Sequence, residues 1–184
     1  RIRYMISGAA PISPDIIYFF KWMNITILEG YGMTETTGII SLNLPHAFRI
    51  GSVGKPYPNT KVKIVEDGEI CVKAPQNIEN YFNNKEATDR LLEPDKNGTN
   101  WLHTGDVGYI DDDGYLYITD RKKDILITAG GKNVAPQYIE NLLKTIPYVS
   151  QSMVYGDTKP YLTALVTLDE DEITKFARDR KILY

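Results

Sequence analysis

Asn24-Ile-Thr-Ile-Leu-Glu-Gly-Tyr-Gly-Met-Thr-Glu-Thr-Thr-Gly38 is the stretch on which the fold turns. Its first five residues are β-branched enough for a strand, and they deliver the chain into a glycine-rich loop over residues 29–38. Upstream, Ser13 followed by Pro14 is an N-cap with proline at the first helical position, predicting a helix to about Met23. Before that, the apolar run at residues 2–6 reads as a buried strand ending in the small-residue turn Ser7-Gly8-Ala9-Ala10-Pro11. Strand, helix, strand in this order predicts a parallel α/β layer. Both loops then fall at the carboxyl edge of the sheet, where open α/β sheets bind their ligands.

Beyond Gly51 the texture changes. Residues 61–65 alternate with period two, Asp67-Gly68 is a hairpin signal, and residues 69–73 alternate again. A helix near residues 86–92, a loop at 95–100 and a second hairpin (107–110, turn 111–114, 115–119) complete a β-rich stretch. Asp120-Arg-Lys-Lys-Asp124 is a charged joint between apolar strands. After it come a strand at 125–128, a glycine turn, a helix at 136–145, strands at 149–155 and 161–168, and a closing helix. The acidic start of that helix at 169–172 suits its dipole. The fold class expected is α/β plus α+β. Residues 1–50 form the end of a parallel α/β subdomain, 51–120 an antiparallel β-rich subdomain, and 121–184 the start of a small α+β domain.

The composition narrows the function. Twenty-one basic against 24 acidic side chains, −3 at pH 7, argue against a nucleic-acid binder. The lone Cys71 excludes an internal disulfide, and two histidines exclude a His-rich metal site. No apolar run is long enough for a transmembrane helix, and Pro11 and Pro14 interrupt any signal peptide. A cytoplasmic protein is the expectation. The chain opens inside an apolar run and closes in or just past a helix, so a portion of a longer protein is expected.

Several short segments could carry chemistry. In Gly30-Tyr31-Gly32-Met33-Thr34-Glu35 the glycines can expose the tyrosine ring for base stacking, while Thr34 could meet phosphate and Glu35 could hold Mg²⁺. From spacing alone, a plain turn with a structural tyrosine and a capping threonine is the stronger assignment. Gly8, Ala9 and Ala10 are small enough to admit a flat base, or simply make a tight turn. Asp106, in Thr104-Gly105-Asp106 at the entrance to a hairpin, can face a vicinal diol or close an Asx turn. His103 beside it reads as a packing residue. Arg121, Lys122 and Lys123 can neutralise phosphate or form a solvated linker. Gly130, Gly131 and Lys132 lie in a flexible turn.

Taken in order, SGAAP, YGMTETTG, GSVGKPYP, GEICVKAP, WLHTGD, ITDRKKD and ITAGGKNVAP resemble the adenylate-forming acyl-CoA synthetases, nearest the long-chain fatty-acid CoA ligases. The resemblance covers about residues 3–175. It implies a two-step reaction in which ATP and a fatty acid give an acyl-adenylate and pyrophosphate, and coenzyme A then displaces AMP. By matching position, Tyr31 stacks on adenine within Glu29-Gly30-Tyr31-Gly32-Met33, and Gly8, Ala9 and Ala10 line the opposite side. Thr34 contacts phosphate, Glu35 binds Mg²⁺, and Asp106 with Arg121 holds the ribose. Lys123 marks a hinge, and Gly130, Gly131 and Lys132 meet coenzyme A.

The family's phosphate loop and its near-C-terminal lysine are not in this sequence, and neither Lys175 nor Lys181 has that lysine's motif context. The 184-residue chain is therefore expected to lack ligase activity and to bind AMP weakly. Two other readings accompany this one: a different adenylate-forming ligase (acyl-AMP, short-chain or aryl), and a non-catalytic nucleotide-binding relic. Apolar surface on residues 1–50 allows self-association, and long acyl substrates favour peripheral membrane contact.

Overall fold

In the computed structural model, which describes residues 3–94, 98 and 100–182, β1 (Tyr4–Ser7) lies parallel to β2 (Thr26–Met33). Between them runs α1 (Pro14–Trp22), where the Ser13 hydroxyl accepts the Asp15 N–H at 3.3 Å and Pro14 opens the helix. The chain divides into two units, Arg1–Thr119 and Asp120–Tyr184.

Two expectations change at once. The first strand is not buried, because Tyr4, Met5 and Ile6 are 51%, 39% and 71% exposed. Among the described residues β1 is the edge of its sheet, paired with β2; Ile2 lies outside the described residues. The second change is larger. Gly30-Tyr31-Gly32-Met33 is not a turn but the second half of β2, paired antiparallel with β3 (Gly38–Leu42). Gly32 makes that pairing possible: a Cβ there would sit 1.8 Å from the Gly38 carbonyl oxygen. The turn is confined to one 3₁₀ turn at Thr34–Thr36. β4 (Lys55–Pro56) completes the sheet in the order β1-β2-β3-β4.

The second sheet of this unit follows the alternation of its sequence. β5 (Lys61–Ile64) and β6 (Glu69–Lys73) form the expected hairpin, with Val62 opposite Val72 and Ile64 opposite Ile70. After α2 (Lys85–Leu91), capped by Asn84, come β7 (Leu92–Pro94), β8 (Asn100–Ile110) and β9 (Leu116–Arg121). The order is β5-β6-β8-β7, with β9 also on β8. Most of the loop expected at 95–100 lies outside the described residues. Thr104-Gly105-Asp106 sits inside the long strand β8 rather than at a hairpin entrance, because pairing with β6 carries the ladder past it. Ile40, Ile70, Val72 and Leu116, all without exposed surface, join the two sheets in one core. Leu91, Leu92 and Leu102 form a second cluster, and Met33 packs against both.

The second unit contains the short ribbon β10 (Leu126–Ile127) and β11 (Asn133–Val134), α3 (Pro136–Leu143), the hairpin β12 (Val149–Tyr155) with β13 (Thr163–Leu168), and α4 (Glu170–Asp179). Asp169 caps α4 by accepting the Glu172 N–H at 3.0 Å. Glu140 of α3 accepts the Val154 N–H at 2.8 Å and so holds the helix to β12. The charged joint is not uniformly solvated. Asp120 is buried because its carboxylate takes the backbone N–H groups of Arg121 (2.7 Å) and Gln137 (3.3 Å). Burial nevertheless raises its pKa.

Candidate functional site

Ser7 lies opposite Glu29 in the β1–β2 register, so the segments that follow them run side by side. Between them opens a cleft of about 660 Å³, with Ser7, Gly8 and Ala9 on one side and Gly30, Tyr31, Gly32, Met33 and Thr34 on the other. Ala9 takes a left-handed conformation, φ 68°. Ala10 and Glu29 are not among the residues lining the cleft. The Glu29 side chain is buried, and burial pushes its carboxyl up to about 7 against the lowering effect of the Gly51 N–H. Its Oε2 has no hydrogen-bond partner among the described residues.

Tyr31 packs against the Ile40 cluster, and its hydroxyl donates to Asp106 Oδ2 at 2.5 Å. Two motifs 75 residues apart are thereby joined beside the cleft. The hydroxyl-bearing turn after β2 is held from inside. Thr36, fully buried, accepts the Met33 N–H at 3.2 Å and lies within 3.0 Å of the Met33 and Gly38 carbonyl oxygens. That leaves Thr34 exposed on the cleft and Glu35 half-buried beside it.

Glu35 has a partner that sequence reasoning missed. The Tyr81 hydroxyl donates to Glu35 Oε1 at 2.6 Å, and this bond, with burial added, pushes the Tyr81 phenol up to about 12. The Ile78 N–H meets the Glu35 carbonyl at 2.8 Å and the Thr37 hydroxyl donates to Gln76 O, so the segment carrying Tyr81 is fastened to the turn. Nothing local in the sequence around Tyr81 signals this pairing.

His103 is also more than a packing residue. Its ring nitrogens lie 3.1 Å from Glu69 Oε2 and 3.0 Å from Glu93 Oε2. Cys71 beside it is fully buried, and burial, with the Glu69 charge adding, pushes the thiol up to about 11. In the second unit, Arg121 ends β9, and Lys123 and the hairpin residues Gly130, Gly131 and Lys132 are exposed. That hairpin is closed by Thr128 N–H to Lys132 O (3.0 Å) and Gly131 N–H to Thr128 O (2.8 Å). Among the described residues no group of three His, Cys, Asp or Glu side chains could hold a metal, and no helix is long and apolar enough to cross a membrane.

Comparison with known proteins gives a consistent result. The AMP-binding enzyme family matches residues 1–82, and the AMP-binding enzyme C-terminal domain family matches residues 123–183. The long-chain-fatty-acid–CoA ligase FadD15 of Mycobacterium bovis is 41% identical over 169 residues, covering 92% of this chain and 27% of the relative. The chain thus spans about a quarter of that protein's length. Among solved structures, the o-succinylbenzoate CoA synthetase MenE of Bacillus subtilis, in complex with the acyl-adenylate intermediate OSB-AMP, aligns with a TM-score of 0.81. Identity is 31%, over 97% of this chain and 40% of that one. The same enzyme with ATP and a magnesium ion aligns at 0.78, with the same identity and coverage.

Proposed function

The chain belongs to the adenylate-forming AMP-binding enzyme superfamily, and on that premise we propose that it is the part of a long-chain fatty-acid CoA ligase that carries the adenosine half of the active site. The observation that carries this reading is the Tyr31–Asp106 hydrogen bond beside the Gly8–Gly30 cleft. It ties an aromatic ring that lines the cleft to a carboxylate next to it, the ring for the base and the acid for the ribose diol. Gly8 and Ala9 admit the flat base between two backbones.

In the proposed reaction a fatty-acid carboxylate oxygen attacks the α-phosphorus of ATP and the bond to pyrophosphate breaks. The coenzyme A thiol then adds to the acyl carbonyl, its proton leaves, and AMP departs. Thr34, exposed on the cleft, donates to a phosphate oxygen. Mg²⁺ takes one or two protein carboxylates and fills its remaining positions with phosphate and water oxygens; the single acid Glu35 suits that demand, and bound there the ion would neutralise phosphate charge. Tyr81 holds Glu35 in one rotamer. Arg121, Lys123 and the Gly130-Gly131-Lys132 hairpin are assigned to the second unit's part of the cycle: ribose contact, the hinge, and coenzyme A. The subdomain limits at 50 and 120 are likewise part of this proposal.

Calorimetric titration of the chain with AMP tests the reading. Saturable binding is expected, weakened about tenfold or more in Asp106→Ala, since a hydrogen bond to a charged group contributes about 1.5–3 kcal/mol. Equal affinity in wild type and mutant would remove Asp106 from the site. A second reading, an aryl acid ligase, draws on the likeness to MenE; the intact parent enzyme offered acids of graded length and ring content separates the two.

A further inference from the structure

Asp106 owes its place to an irregularity in the ladder. β6 and β8 pair at Cys71–His103 and again at Glu69–Val107, with only Ile70 between these points on β6. On β8 three residues, Thr104, Gly105 and Asp106, fill the same interval. The two extra residues form a bulge, and bulges re-aim side chains away from the sheet. Gly105 turns through φ 73°, a conformation that favours glycine.

A bulge leaves backbone groups without ladder partners, and side chains supply them here. Thr104 Oγ1 donates to Ile70 O at 2.8 Å and accepts the Asp106 N–H at 3.1 Å. Glu69 Oε1 accepts the Gly105 N–H at 2.9 Å. Glu69 is only 4% exposed, an expensive place for a carboxylate unless its other oxygen is also satisfied. That oxygen faces His103 Nδ1, and His103 Nε2 faces Glu93 at the surface. A line of contacts therefore runs from Glu93 through His103 and Glu69 to the bulge that presents Asp106.

We propose that Glu69 is a positioning residue for nucleotide recognition: with His103 as its tether, it fixes the Gly105 bulge so that Asp106 is aimed at the ribose diol. This rests on the reading of Asp106 given above. Glu69 itself touches no substrate.

The test compares AMP with 2′-deoxy-AMP on the 184-residue chain, because only the former offers the full diol. Wild type is expected to prefer AMP by about tenfold, the loss of one charge-assisted hydrogen bond. Glu69→Ala should bring that preference close to unity, weakening AMP more than 2′-deoxy-AMP, which has only one of the two hydroxyls to lose contact with. Glu69→Gln keeps an acceptor for the Gly105 N–H and should restore most of the preference. Equal weakening of both nucleotides in Glu69→Ala, or no rescue by Gln, would overturn the proposal in favour of a merely structural carboxylate. An unchanged preference in Asp106→Ala would instead sink the ribose assignment itself. A readout without nucleotide stands beside these. The ¹³C signal of the Asp106 carboxyl should move in Glu69→Ala as the bond from Tyr31 is lost, and a signal that stays put overturns the proposal. Should Glu69→Ala not fold, His103→Gln, which removes only the tether, is expected to shift that signal in the same direction by a smaller amount.

Discussion

Five apolar side chains of the first unit, Ile40, Ile70, Val72, Leu102 and Leu116, have no exposed surface. In the second unit Val154 and Ala177 are buried but keep 8% and 6% of their surface exposed. The whole of β13 is exposed. The first unit joins two sheets through one shared cluster, whereas the described residues of the second form a two-stranded hairpin, a short ribbon and two helices. The second unit therefore depends more on local devices: the Asp169 cap, the Glu140 bond to β12 and the buried Asp120. A preformed binding surface needs a stiff base, and the Tyr31–Asp106 pair stands on the better-packed unit.

The comparison breaks most decisively at the cores. Ile70→Ala is expected to cost about 3–5 kcal/mol and Val154→Ala about 1–2, because the first leaves a closed cavity and the second a site that can relax. Urea unfolding followed by hydrogen exchange in each unit checks this, and comparable losses would mean that the two cores are equally tight.

Glu29 comes next. Its folded pKa lies near 7, above its ordinary 4.5, so the folded state holds the proton more firmly. The stability it contributes is present in full below about pH 4.5 and is lost as pH rises through 7. At most about 3 kcal/mol is at stake. Melting curves from pH 5 to 8 should therefore slope downward in wild type and flatten in Glu29→Gln. In the second unit burial raises the Asp120 carboxyl, which lies at the joint.

Smaller effects sharpen the contrast. Asp169→Ala should cost about 1 kcal/mol, the usual worth of an N-cap, and should raise exchange only in the second unit. Tyr81→Phe should cost about 0.5–1.5 kcal/mol for a lost hydrogen bond. In that variant Glu35 is released to other rotamers, which a ¹³C carboxyl spectrum registers directly; an unmoved Glu35 signal would show that Tyr81 does not hold it.

Local chemistry made much of this fold readable. Ser13-Pro14 started a helix, Asp67-Gly68 turned a hairpin, and the acidic run at 169–172 opened α4, each through contacts within a few residues. What escaped reading depends on distant partners. Gly30-Tyr31-Gly32 looks like a turn until β3 arrives to pair with it, and only the 1.8 Å clearance at Gly32 explains the glycine. The bulge at Gly105 exists because β6, over 30 residues upstream, runs shorter between the same two pairing points. Motif residues Tyr31, Thr34, Glu35 and Asp106 were visible as candidates, whereas Tyr81, Glu69 and His103 gain meaning only from the groups they meet. The edge exposure of β1 also lay beyond a hydrophobicity pattern, which registers apolar character and not what covers it.

Cys71 has a practical consequence. A thiol pushed up to about 11 is thiolate in only about one molecule in ten thousand at pH 7, and this one is sealed in the sheet as well. Alkylating reagents and nitroxide or fluorophore maleimides will pass it by. A cysteine introduced at an exposed position, such as Tyr161 or Trp22, can then be tagged alone in the otherwise native sequence. One tag on each unit would give a distance between the two by spin-label or fluorescence readout, without deleting the residue that packs beneath His103.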